Sequence, residues 1–89
     1  VRYEHDPAKL AANVARHGVW FHEVEGFEWE AAAIAVDDRK RYGETRFVAT
    51  GPIGTRLHVL VFTLRGSAVR IISLRRANDR EARRYAQDH

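Results

Sequence analysis

The sequence predicts an α+β fold, and three observations predict it. Helix signals gather in the first third of the chain. Strand signals then follow one another with no helix between them. Turn residues separate those strands at short intervals. Helices and strands kept apart in this way make an α+β domain, whereas alternation would make βαβ units. With 89 residues, 45% apolar and 30% charged, the chain reads as one globular domain over 1–89. The expected order is β-α-α-β-β-β-β-α, with a mostly antiparallel sheet and a short C-terminal helix.

Val1 to His5 is a short β segment. Asp6-Pro7 then starts a helix, because Asp6 can accept backbone N–H bonds as N-cap and Pro7 suits the first helical position. The helix runs to about His17 and stops at Gly18. Leu10, Val14 and His17 share its apolar face, and Lys9, Asn13 and Arg16 share an adjacent polar face. Val19-Trp20-Phe21 leads into an expected second helix over about 21–30, with Val24 and Phe27 packing and four glutamates kept in water. Gly26 weakens that helix by up to ~1 kcal/mol relative to Ala. Ala31 to Val36 reads as a short strand, followed by a charged turn over 38–43.

Arg46 to Thr50 is a strand that ends at the turn cluster Gly51-Pro52-Ile53-Gly54. Leu57 to Leu64 is β-branched, aromatic and almost wholly apolar, so it reads as the central strand, buried on both faces. After Arg65-Gly66-Ser67 comes a further strand, Val69 to Arg75, close enough to form an antiparallel meander. Asn78 caps the last helix, with Glu81 at N3 completing a capping box.

Composition excludes several classes of function. There is no cysteine, hence no disulfide scaffold, thiol nucleophile or Cys-ligated zinc. No apolar run approaches the ~18 residues of a membrane span, and the start of the chain lacks a signal-peptide pattern. A cytoplasmic location is expected. With no methionine in the chain, Val1 reads as an alternative start, a processed end or an artificial boundary.

Charge is unevenly spread. Residues 1–38 carry three Lys/Arg against eight Asp/Glu, a net of −5; residues 39–89 carry twelve against four, a net of +8. All but two of the basic residues are arginine, whose planar fork matches phosphate oxygens in a way a lysine point charge does not. Charge alone fits two readings equally: a polyanion as partner, either nucleic acid or an acidic protein segment, or a solvated arginine-rich surface.

No P-loop, G-x-G-x-x-G, H-E-x-x-H or G-x-S-x-G motif is present, and the five histidines lack metal spacing. No metal or other cofactor is expected. The positive signal is a set of arginines on strands or at their ends: Arg46, Arg65, Arg70 and Arg75. Such a set can clamp a phosphate; equally, each can pair with a carboxylate such as Glu23 or Glu28. Strict alternation gives Arg75 the parity of Val69, Ile71 and Ser73, and gives Arg70 that of Ile72 and Leu74, so these two are expected on opposite faces.

Tyr3-Glu4-His5-Asp6-Pro7 followed by Lys9, Asn13, Arg16-His17-Gly18-Val19 and Phe21 resembles the opening of the BrnT family of type II toxins. Glu44-Thr45-Arg46-Phe47 with Gly51 resembles that family's E-x-R-F…G strand. Val59, Val61, Thr63 and Arg65 resemble its V-x-V-x-T-x-R, and Arg70-Ile71-Ile72-Ser73-Leu74-Arg75-Arg76-Ala77 with Glu81 and Tyr85 resembles its last strand and helix. His5 stands where the family usually has Trp. The resemblance spans nearly the whole chain in the family's order. It implies a compact RelE-like fold, a ribonucleolytic toxin that blocks translation without a metal, and a DNA-binding BrnA-like antitoxin bound in a hetero-oligomer.

RNA cleavage of this kind needs a group to take the 2′-hydroxyl proton, cations to hold the phosphate, and an acid or water for the leaving oxygen. Arg46, Arg65 and Arg75 are the candidates for the phosphate, and Lys9, His17, Glu44 or Tyr85 for proton transfer. Lys9, Arg70, Arg76 and Arg80 are expected to contact RNA. A second class of function also fits: a basic module that holds nucleic acid or an acidic protein segment without cutting.

Overall fold

The structure, a computed structural model, describes residues 1–39 and 41–88. Strands β1 (Arg2–His5), β2 (Ala33–Asp37), β3 (Arg46–Ile53), β4 (Arg56–Arg65) and β5 (Ala68–Arg76) form one sheet in the order β1-β5-β4-β3-β2. β1 is parallel to β5 and every other pairing is antiparallel. Helix α1 (Pro7–His17) follows β1, and α2 (Asp79–Asp88) follows β5. The most apolar strand, β4, is central, as its residues require. Among the described residues, no helix is long and apolar enough to cross a membrane.

The ends of α1 form as the sequence dictates. Asp6 accepts a hydrogen bond from the Ala8 N–H at 2.9 Å. Gly18 takes a left-handed conformation (φ 70°) and donates its N–H to the Val14 carbonyl at 2.9 Å, the usual way a helix satisfies its last carbonyls.

The expected second helix over 21–30 does not form. In its place are two 3₁₀ turns, Phe21–Gly26 and Trp29–Ala31, so the order becomes β-α-β-β-β-β-α. The reason lies in the spacing of the apolar residues. Phe21, Val24 and Phe27 are buried at steps of three, and a 3₁₀ helix has three residues per turn. An α-helix, at 3.6 residues per turn, would fan the three over about 120° of its surface instead of stacking them in one line. The charged turn expected over 38–43 includes Lys40, which lies outside the described residues.

β3 also differs from expectation. Instead of turning at Gly51 it continues through Pro52 to Ile53 and returns across Gly54-Thr55, with Ile53 paired to Arg56. Pro52 is tolerated because β2 pairs only as far as Thr50; beyond it that side of β3 meets only the Phe27 bridge to Ile53, which uses the Pro52 carbonyl as acceptor for the Glu28 N–H at 3.1 Å. Gly51 is required by the Phe27 ring packed on it: a Cβ there would stand 2.9 Å from Phe27 Cζ.

The core lies on one face of the sheet. Val19, Phe21 and Val24 from the covering segment meet Leu60, Ile71 and Leu74 from the strands, and Leu10 of α1 packs against them. At the β3 side, Trp29 meets Phe27 and Phe62 edge-on and donates its indole N–H to the Tyr3 hydroxyl at 2.7 Å.

Two features of β5 set everything that follows. The first is a bulge: Val61 pairs with Ser73 but Phe62 pairs with Ile71, so Ile72 is one residue extra. The second concerns the strand's outer edge. β1 pairs only with Ala68–Ile71. Beyond it, the Asn13 side chain acts as a one-residue strand. Its Nδ2 donates to the Leu74 carbonyl at 2.7 Å, and its Oδ1 accepts from the Leu74 N–H at 3.1 Å. Nδ2 also donates to the Val19 carbonyl at 3.0 Å. The polar-face position expected for Asn13 is therefore overturned, since the side chain is 5% exposed.

Asn13→Ala removes both partners of a buried main-chain pair, and each stranded group costs about 1–3 kcal/mol. The expected loss is about 3 kcal/mol or more in chemical denaturation, with the melting temperature lower by on the order of 10–20 °C. A loss below about 1 kcal/mol would mean that water replaces the amide at Leu74.

Candidate functional site

The face of the sheet opposite the core carries the arginines. Directly paired residues of an antiparallel ladder point to the same side. Val48 pairs with Val61 and Val61 with Ser73; Thr50 pairs with Val59 and Val59 with Arg75; Thr63 pairs with Arg70. Arg46 shares the parity of Val48, and Arg65 that of Thr63. The four arginines that the sequence singled out, Arg46, Arg65, Arg70 and Arg75, therefore stand on one face, while Arg56 and Arg76 take the parity of the core face.

The expected separation of Arg70 from Arg75 is thus incorrect, and the bulge is the reason. Strict alternation fails at Ile72, so Ile71 and Leu74 both turn into the core, at 2% and 0% exposure. The arginines that flank them both turn outward.

Three of the four are held by carboxylates. The Arg75 fork donates to both oxygens of Glu81 at 2.8 Å. Glu81 is held in turn by the capping box expected at the start of α2: its Oε1 accepts from the Asn78 N–H at 2.9 Å, and its own N–H donates to Asn78 Oδ1 at 2.8 Å. This pairing holds the Glu81 carboxyl down at about 2 and raises Arg75 above its ordinary value. Arg70 donates to Glu4 at 3.3 Å. The Arg46 guanidinium stacks over the Tyr42 ring, 3.8 Å from its centre, with Glu44 at 3.7 Å. Its Nε is buried and has no hydrogen-bond partner. Arg65 is exposed at the hairpin end. The pairing acids come from β1, α2 and the approach to β3, not from the 3₁₀ segment that holds Glu23 and Glu28.

A cleft of about 190 Å³ opens where α1 passes the bulge, lined by Lys9, Asn13, Arg16, His17, Ile72 and Ser73. His17 is half-buried there. Its pKa is lowered from the ordinary 6.5, first by loss of solvation and then by the charges of Arg16 and Arg75. The ring is consequently neutral at neutral pH, the form that can accept a proton. His17, Arg75, Lys9 and Ser73 thus share one region.

The remaining expected site residues are elsewhere. Tyr85 donates its hydroxyl to the Ala31 carbonyl at 2.6 Å and so ties α2 to the start of β2. Arg76 pairs with His58 and takes the parity of Leu74, away from the arginine face. Arg80 is exposed on α2, and Glu44 is exposed beside Arg46. Sequence reasoning missed Arg16 and Ser73 in the cleft. It also missed Arg39, which donates to both oxygens of Asp37 at 2.9 and 3.0 Å and holds that carboxyl at about 2. Alternation of Asp37 with Ala35 and Ala33 was the available signal, since it puts a carboxylate on the arginine face.

The Glu81 pair has a defined pH signature. Its carboxyl titrates lower in the folded chain than in the unfolded one, so its contribution is full above about pH 5 and is lost as pH falls through about 2. Glu81→Gln should therefore lower the melting temperature at pH 6 and converge on the wild type toward pH 2, where Asp37 titrates equally in both proteins. A gap of constant size from pH 6 to 2 would show that the ion pair itself contributes nothing.

No curated relative matches the chain significantly. One family model does, over residues 5–81: the ribonuclease toxin, BrnT, of type II toxin–antitoxin systems. That match takes in α1, the bulge, Arg46, Arg65, Arg70, Arg75 and Glu81, and so this chain belongs to the BrnT family of ribonuclease toxins.

Proposed function

We propose that this chain is a metal-independent endoribonuclease of RelE-like architecture. It blocks translation by cutting RNA in the cytoplasm, and a BrnA-like DNA-binding antitoxin neutralises it. The observation that carries the reading is the set of four arginines on one sheet face, one of which, Arg75, acts on the half-buried His17.

Cleavage follows from those groups. His17 takes the proton of a 2′-hydroxyl, whose oxygen attacks the adjacent phosphorus. The phosphorus gains negative charge on its non-bridging oxygens, and Arg75, Arg70 and Arg46 lie on the face where that charge develops. A guanidinium already fixed there stabilises the transition state more than the ground state, and only that difference speeds the reaction. The bond to the 5′-oxygen then breaks, and that oxygen takes a proton from Lys9 or water. Phosphate oxygens displace the carboxylates of Glu81, Glu4 and Glu44 from the arginines as RNA binds. The ion pairs of the free protein thus hold the forks in place for the substrate.

RNA cleavage by the purified protein should be unaffected by EDTA. Arg→Ala at 46, 65, 70 or 75 should each leave a folded protein. Loss of a forked donor at 46, 70 or 75 should cost on the order of 10²–10³ in rate. If all four variants fold and cleave at wild-type rate, the face holds a partner and performs no chemistry.

His17→Gln should remove the acid limb of the pH–rate profile of kcat/KM. In the wild type that limb should lie below the ordinary histidine value of 6.5, because the group must lose its proton to act. A limb above 6.5, or one that survives in the variant, assigns the base to another residue.

A further inference from the structure

We propose that the outer edge of β2 is where the antitoxin docks, by adding an extended segment as a sixth strand. This rests on the chain's place in a toxin–antitoxin family, which requires a protein partner, but not on the catalytic reading. β2 is the last strand of the sheet, so its far side offers main-chain N–H and C=O groups with no strand beside them. Edge strands are normally blunted by charges, proline or a bulge. This one reads Ala-Ile-Ala-Val-Asp, and its single charge, Asp37, is buried under Arg39.

The side chains along it are also unprotected. Ile34 is 52% and Val36 59% exposed, although both lie on the core face, paired to Ala49 and Phe47. They form the free margin of the hydrophobic layer, where one more strand would continue it. On the other face, a groove of about 450 Å³ runs between Ala33, Ala35, Val48 and Thr50 on the sheet and Glu81, Arg84, Tyr85 and Asp88 on α2. An added strand would send alternate side chains to each place: apolar ones onto Ile34 and Val36, and small ones into the groove, where a carboxylate fits only against Arg84 and away from Glu81 and Asp88. Arg39, 78% exposed at the end of the strand, supplies a second cation for an acidic residue. The occupant is therefore an extended antitoxin segment with alternating apolar residues and at least one carboxylate, held largely by main-chain bonds.

The test uses the full chain and the antitoxin encoded beside it. In the complex, the amides of β2 should exchange with deuterium at least tenfold more slowly than in the free toxin. The double variant Ile34→Lys with Val36→Lys should fold and cleave RNA as the wild type does, since neither side chain is on the arginine face. It should bind the antitoxin at least tenfold more weakly and escape neutralisation in cells. Unchanged β2 exchange in the complex, or unchanged affinity of the double variant, overturns the proposal. So does a concentration-dependent homodimer of the free wild type that the double variant abolishes, because the edge then pairs with a second copy. A wild-type protein that binds the antitoxin at β2 yet cuts no RNA would end the catalytic reading and leave this one standing.

Discussion

The amide of Asn13 on the main chain of Leu74 is the contact on which the rest of the molecule depends. β1 is too short to pair with the whole of β5, so the far half of that edge would be buried with its polar groups unmet. A single side chain with one donor and one acceptor on the same planar group meets both. In doing so it fixes the height at which α1 crosses β5. His17, one turn further along α1, is thereby carried to the bulge and into the field of Arg75. The third bond from Asn13, to Val19, sets where the chain leaves the helix and begins the 3₁₀ turns that roof the core.

The bulge at Ile72 complements this. A regular β5 would have placed Arg70 and Arg75 on opposite sides, one of them against the apolar core. One extra residue turns both outward and both Ile71 and Leu74 inward. The result concentrates cations on one face of a small sheet, which costs self-repulsion. Glu81, Glu4 and Glu44 offset it. The Glu81 pair is the best organised of these, because the carboxylate that caps α2 also holds the Arg75 fork. α2 has no buried residue of its own, so this ion pair and the Tyr85 hydroxyl carry much of its attachment.

A chain of this size buries only roughly 60–65% of the surface its unfolded form exposes, and part of its apolar layer ends in the open at β2. A protein bound there adds its binding free energy to the stability of the folded state. An antitoxin strand at β2 would enter the groove over Val48 and Thr50 and so cover the β2 margin of the arginine face, leaving the part beside β5 and α1 open.

The sequence by itself determined the α+β class, the limits of α1, the central place of β4 and the capping box of α2. Each follows from residues close together in the chain: Asp6-Pro7 and Gly18, the apolar run of β4, Asn78 with Glu81. It also pointed to the strand arginines, and the family resemblance it carried was correct. The 3₁₀ turns were within reach, since Phe21, Val24 and Phe27 repeat every third residue, but that pattern also fits one side of a short α-helix. What only the tertiary structure decided is how distant segments meet. Whether Asn13 lies in water or in the core depends on where β1 stops beside β5. Whether Arg70 and Arg75 share a face depends on one unpaired residue in a ladder with β4. Local propensity is blind to both: the first is set by the need to satisfy buried main-chain groups across 61 residues, and the second by the register of β5 against β4.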